Sequence, residues 1–185
     1  MKKIIIAFSL ILFLTGCSCS LSMNTPTKKV EEFLGRYKDL DEGVINDLEL
    51  SSEITGLNTT EQKEKYVDVM RRQYQDMHYE VVDEEIDGDE ALVKVKVSVY
   101  DLYKARRDAE GYTINNESEF YIDNGNITDM TKVNNYILDN LYKASDVVDY
   151  TIDIQLEKDD GKWKVKELEE VVKEKLHGTY NYESN

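Results

Sequence analysis

The side chains able to do chemistry are few in kind and poorly placed to do it together. Two cysteines, Cys17 and Cys19, lie close to the start, and the only histidines, His78 and His177, are far apart in the chain. A tetrahedral metal site needs several nitrogen, sulfur or carboxylate ligands at set spacing, and neither histidine has them nearby. The acidic run Asp83-Glu84-Glu85-Ile86-Asp87-Gly88 imitates a calcium loop, with Asp83, Glu85, Asp87 and Gly88 at positions one, three, five and six. Position twelve should then be a bidentate Glu, but it is Lys94. A hairpin turn at Asp87-Gly88 explains the run better. No glycine-rich phosphate loop and no serine-nucleophile motif is present, so the sequence asks for no metal and no cofactor. His78 beside a carboxylate could do acid–base work. At a helix-to-strand junction, an exposed capping histidine is the plainer reading. His177 precedes Gly178 and reads as the last turn of a short helix, where a cation suits the dipole. Catalytic residues stay unassigned.

Cys17 is different. It closes a segment that begins with Lys2 and Lys3 and continues through the apolar run Ile4 to Leu14, broken only by Ser9. A basic start, a short apolar stretch and small residues at a cleavage point make a secretory signal. The run is shorter than the roughly 20 residues that span a bilayer. Leu14-Thr15-Gly16-Cys17 resembles the bacterial lipobox, in which the thiol receives a diacylglycerol and the Cys becomes the first residue of the mature chain. The competing reading is an ordinary signal with a chance cysteine. Two fatty chains hold firmly where one holds marginally, at about 0.8 kcal/mol per buried methylene. The expected organisation is a signal peptide at 1–16, a lipidated Cys and flexible tether at 17–27, and one domain at 28–185. The expected location is the outer face of a bacterial plasma membrane, with Cys17 as the lipidation site. Cys19 is left without a partner, which excludes a disulfide within the domain.

Loss of residues 1–16 removes Lys2 and Lys3, leaving 21 basic against 38 acidic side chains, a net charge of −17. Such a surface excludes nucleic acid as a partner and accepts a basic protein. It also assigns the membrane attachment to lipid rather than to a polybasic patch.

The elements that must carry any site follow from periodicity. Thr25 caps a helix with Pro26 at its first position and Val30, Phe33, Leu34 and Tyr37 on one face. A second helix follows Asp41, with Val44, Ile45 and Leu48 as its stripe. A third follows Asn58-Thr59-Thr60, where Thr59 and Gln62 have capping-box spacing. Its face is Tyr66, Val69, Met70, Tyr74 and Met77, and its Glu, Lys, Arg and Gln residues are expected to meet solvent. At Tyr79 the period becomes two. Strands 79–86 and 91–100 flank the Asp87-Gly88 turn, and a second hairpin runs from Asp149 through Asp159-Asp160-Gly161 to Trp163, Val165 and Leu168. Residues 128–144 read as a helix through Val133, Tyr136, Ile137 and Leu141. Residues 104–127, with Gly111, Asn115-Asn116 and Asp123-Asn124-Gly125, read as loops around one short element. The expectation is an α+β fold in which N-terminal helices, above all the one near Thr60, pack on a curved antiparallel sheet of two hairpins, cone-like in shape.

The turn and strand Asp160-Gly161-Lys162-Trp163-Lys164-Val165 resembles the last hairpin of nuclear-transport-factor-like (cystatin-like) folds. The mature chain is similar to lipoproteins of that superfamily from low-GC Gram-positive bacteria, a group of unassigned function. Thr25-Pro26-Thr27, a Tyr100-Asp101-Leu102-Tyr103 strand segment and Leu176-His177-Gly178-Thr179-Tyr180 carry the likeness. It implies a cone whose mouth holds a small ligand or serves as an interface. Tyrosine has a large apolar face with a polar tip, favoured at binding surfaces, and the chain has 13 of them. Tyr100, Tyr103, Tyr136 and Trp163 are the candidate pocket residues, with filling of the cone as their plainer use. The expected function is a non-enzymatic binding or interaction domain on a membrane-anchored lipoprotein. The alternative is a small-molecule enzyme using a pocket Tyr, Asp or His78.

Overall fold

The computed structural model describes residues 24–54, 56–122 and 127–183. The signal segment, Cys17, Cys19 and the Asp123-Asn124-Gly125 turn lie outside the described residues. The architecture is α+β: helices precede and follow an open, four-stranded antiparallel sheet.

Helix α1, Pro26–Lys38, starts where the sequence marks it, with Pro26 at its first turn and the Thr25 hydroxyl accepting from Lys28 N at 3.2 Å. Ordered contacts begin earlier still. The Asn24 amide donates to the Gly161 carbonyl at 2.8 Å and accepts from Trp163 N at 3.1 Å. Helices α2, Glu42–Ile54, and α3, Thr60–Asp76, follow. The sheet is a meander of β1, His78–Asp87; β2, Glu90–Tyr100; β3, Val147–Asp159; and β4, Lys162–Val165, each pairing with the next. Between β2 and β3 lie α4, Leu102–Asn115, a 3-10 turn at Glu117–Phe120, and α5, Met130–Lys143. Helix α6, Glu170–His177, closes the chain.

Strand β2 shows why one face of the sheet is dry. Val93, Val95 and Val97 are fully buried and stand opposite Ile154, Ile152 and Tyr150 of β3. The alternate residues face water, where Lys94–Asp153 and Lys96–Asp149 pair across strands at 2.9 Å. Opposite charges facing each other at so exposed a site add little stability and chiefly favour this register.

The apolar face is covered by α1 and α6, not by the helix beginning at Thr60. Val30, Leu34, Val172 and Leu176 fill it together with Trp163 and Met77. Helix α3 instead turns Val69, Met70 and Tyr74 toward Val44 and Leu48 of α2, Leu102 and Ala109 of α4, and Ile137, Leu138 and Leu141 of α5. The molecule therefore has two apolar clusters, one under the sheet and one among helices. Of the N-terminal helices it is α1 that lies on the sheet, while α3 reaches it only at its end, through Met77 and through Gln73 at the end of β2.

Three further readings are corrected. Residues 104–115 are helical, since α4 buries the small residues Ala109 and Thr113 rather than a stripe of large ones, and Gly111 sits inside it with open space around it. Tyr100-Asp101-Leu102-Tyr103 is a strand end joined to a helix start. Asp101 caps α4, its carboxylate accepting from Lys104 N at 2.9 Å. Finally, the polar face of α3 is not all solvated: Gln62 and Gln73 are each only 1% exposed.

Candidate binding cleft

The buried Gln73 builds the joint around which the cleft forms. Its amide donates to the carbonyls of Tyr100 at 3.0 Å and His177 at 2.9 Å, while its oxygen accepts from Tyr100 N at 3.1 Å. One side chain thus ties α3 to the end of β2 and the end of α6. A buried amide left without partners would cost about 1–3 kcal/mol, so this site selects a side chain with both donor and acceptor. Gly178 makes the approach feasible. It ends α6 in the left-handed conformation, φ +71°, with its N–H bonded back to the carbonyls of Glu174 and Lys175, the usual glycine stop of a helix.

The joint sets the His177 ring against Tyr74, centroids 5.8 Å apart, and Tyr74 meets Tyr37 edge-on at 5.0 Å. Two cavities flank this aromatic row. One, of about 430 Å³, has Val69, Met70, Leu102, Ile137 and Leu138 as its floor and Arg106, Asn134 and Glu174 among its polar edges. The other, about 780 Å³, lies between α2 and the segment after β4, with Phe33, Leu48 and Leu50 facing Val165 and Leu168. Tyr66 and His177 border both. The two cavities therefore meet at these two side chains, which stand at the waist of the cleft they make together. Each cavity lies in the size range of small-molecule sites, about 300–1,000 Å³, and the second is edged by Asp47, Glu53, Lys166, Glu167 and Lys173.

The electrostatics of the wall are those of a neutral site. Burial lowers the His177 pKa to about 4, with Lys173 lowering it further and Glu170 opposing. The imidazole is therefore uncharged near neutral pH, which corrects the expectation of a cation at the end of α6. Burial also raises the hydroxyl pKa of Tyr66, against the pull of Arg106, and that of Tyr74 far above the ordinary range. A general base works best with a pKa near the operating pH. An imidazole at about 4 and phenols pushed upward are donors and acceptors of hydrogen bonds rather than proton-transfer groups.

The residues singled out in the sequence are not gathered there. Tyr100 ends β2 with its hydroxyl donating to Asp76 at 2.8 Å and the Arg72 guanidinium 3.9 Å from its ring centre. Tyr103 meets Tyr182 edge-on at 5.0 Å. Tyr136 stacks on Tyr112 at 5.0 Å and borders a separate cavity of about 370 Å³. Trp163 is 4% exposed in the cluster under the sheet, with Lys158 Nζ 4.6 Å from its ring centre. None of the four lines either half of the cleft.

His78 is exposed at the start of β1, opposite Ser98, whose cross-strand neighbour is Asp149. The row of His, Ser and Asp is not a catalytic triad, because the Ser98 hydroxyl donates directly to Asp149. In a triad it would donate to the histidine. In the acidic run, Glu84 accepts from the N–H and hydroxyl of Thr27 at 2.8 and 2.6 Å, capping α1 from the neighbouring strand. Among the described residues no group of three or more His, Cys, Asp or Glu could hold a metal ion.

Tyr66 and His177 escaped sequence reading as a pair because nothing local connects them. A signal did exist for the glutamines. Gln62, Tyr66, Met70 and Gln73 follow one another at helical spacing, so both continue the buried stripe of α3.

The start of the chain matches a known pattern, the prokaryotic membrane lipoprotein lipid attachment site, over residues 1–18. The chain is a membrane-anchored lipoprotein. No curated protein and no solved structure matches it. Among the described residues no helix is long and apolar enough to cross a membrane.

Proposed function

We propose that this lipoprotein is held by a diacylglycerol on Cys17 at the outer face of the plasma membrane and displays a non-enzymatic binding domain there. Its ligand site is the cleft parted by Tyr66 and His177. The observation that carries this reading is the position of Tyr66 and His177, which border two cavities with apolar floors and charged edges. Apolar floors with hydrogen-bonding groups at the waist and charges at the edges fit a small ligand with an apolar body and a polar end. The net charge of −17 for the mature chain adds a preference for basic over acidic protein partners. The cystatin-like likeness is supported by α1 lying across a four-stranded antiparallel meander, and fold likeness alone does not define a ligand.

Titration with an uncharged apolar dye whose emission shifts on leaving water tests the reading. One dye per chain should bind at saturation, and Leu57→Arg, which places a charge at the first cavity, should weaken binding at least tenfold with little change in unfolding. Absence of saturable binding, or equal binding by Leu57→Arg, would refute the site.

A further inference from the structure

The point where the tether enters the domain fixes which end of the molecule meets the membrane. Asn24 is bound through both ends of its amide to Gly161 and Trp163, so the chain leaves the domain beside the β3–β4 turn. The β1–β2 turn lies at the same end, because Glu90 pairs with Glu157 and Lys158 N donates to the Asp89 carbonyl at 2.8 Å. Asn24 lies seven positions after Cys17, and seven steps of up to about 3.5 Å reach no more than about 25 Å. The opposite end of the sheet is much farther. Val147 begins β3, and Lys158, the partner of Trp163, lies eleven residues on, about 36 Å at ~3.3 Å per residue.

We propose that the pole formed by the two hairpin turns is the end of the domain nearest the bilayer and that the opposite end of the sheet is held away from it. The proposal rests on the lipid at Cys17. Charge supplies the second half of the argument. The pole carries Asp87, Asp89, Glu90, Glu157, Asp159 and Asp160 against Lys158, Lys162, Lys164 and Lys166, of which Lys164 pairs with Asp159 and Lys166 with Glu90, so it keeps a net negative charge. Anionic headgroups repel such a surface over about one Debye length, ~8 Å at physiological salt. That is shorter than the reach of the tether. The tether therefore keeps the pole near the membrane while repulsion stops it from adhering, and the opposite end, with Tyr100 and Val147, is presented outward.

Trp163, the only tryptophan, sits at this pole and serves as the probe. In the lipidated chain on phosphatidylcholine vesicles with a dansyl headgroup lipid, energy transfer from Trp163 should be several-fold more efficient than from Val147→Trp made together with Trp163→Phe. Tyr142→Trp in the same background repeats the far-end measurement should Val147→Trp fold poorly. Phosphatidylglycerol in the vesicles should lower the transfer from Trp163 at low salt, and added NaCl should restore it. Equal transfer from the two ends, or more from the far end, would overturn the proposal. A chain starting at Cys17 with Cys19→Ser, coupled through its Cys17 thiol to a maleimide lipid, must give the same order. If the cell-made chain fails to float with vesicles while the coupled chain keeps that order, the lipidation reading fails and the orientation stands.

Discussion

Gly178 lies so close to Tyr100 that a β-carbon on it would stand 2.1 Å from the Tyr100 carbonyl oxygen and 2.3 Å from the Gln73 amide nitrogen. This contact brings α6 down onto the end of β2 and places His177 at the waist of the cleft. Gly178→Ala meets two penalties, a positive φ and a collision with backbone that cannot move aside. It should cost about 3 kcal/mol or more, read as a shift of the urea midpoint. Gln73→Ala, which strands three buried backbone partners, should cost a similar amount, and Gln73→Glu should not rescue it.

His177 should make stability depend on pH in a defined window. The unfolded chain takes up its proton near pH 6.5, whereas the folded chain resists until about 4. Stability from this residue is therefore whole above about pH 6.5 and falls as pH drops from there toward 4. The full displacement corresponds to about 3 kcal/mol. The groups around the ring are Glu170, Lys173 and Glu174 on α6, Tyr66 and Tyr74 on α3, and Arg106 across the cavity. In His177→Gln the loss between pH 6.5 and 4.5 should disappear. Carboxylates whose pKa values are lowered by cationic partners, such as Asp41 beside Arg36 and Asp159 beside Lys164, lose their contribution only at lower pH. That lower limb should remain in the variant. An unchanged slope in His177→Gln across the upper window would contradict a neutral imidazole in the folded chain.

Trp163→Ala should cost about 3–5 kcal/mol, the range for emptying a large aromatic site, since the indole is 4% exposed. Native emission should be blue-shifted and resist a soluble quencher. Red-shifted emission with little loss of stability would be incompatible with its place under the sheet.

How far the sequence disclosed this arrangement depends on what each element buries. Strand β2 was legible because Val93, Val95, Val97 and Val99 alternate with polar residues and one face is fully dry. Helix α4 was not, because it packs through Ala105, Ala109 and Thr113, and small residues leave no strong periodic signal. The ends of elements were legible where a cap is local, as at Thr25 and Thr59. Glu84, which caps α1 from another strand, could not be read that way. The cleft was the least legible part. Its wall joins Tyr66 of α3 to His177 of α6, and that meeting is made by Gln73 and Gly178, neither of which signals a partner in one dimension. Tyrosine content pointed to aromatic packing without saying which tyrosines meet. Tyr100, Tyr103 and Tyr136 bind their own neighbours, while Tyr37, Tyr66 and Tyr74 surround the cleft.

Glu84→Ala should loosen the first turn of α1 by about 1 kcal/mol, as loss of a capping acceptor does. Hydrogen exchange of the Thr27 amide offers a direct reading, since its N–H loses its acceptor. Exchange at Val30 and Leu34, deeper in the helix and fully buried, should hardly change. Equal acceleration along the whole helix would mean that Glu84 supports α1 by packing rather than by capping.

In the proposed arrangement the anchoring of the molecule turns on one thiol. The lipid attachment pattern spans residues 1–18 and so includes Cys17 but not Cys19. Cys17→Ala should leave a chain that is either uncleaved or released, with no partition into detergent. Cys19→Ala should partition as the unaltered chain does. Metabolic labelling with a fatty-acid analogue reads the two variants directly, with label lost in the first and kept in the second. Because two acyl chains hold a protein firmly and one only marginally, partial loss of label should give large loss of membrane binding. Normal processing and labelling of Cys17→Ala would move the anchor elsewhere. The orientation of the domain would then have to be derived anew from wherever that anchor lies.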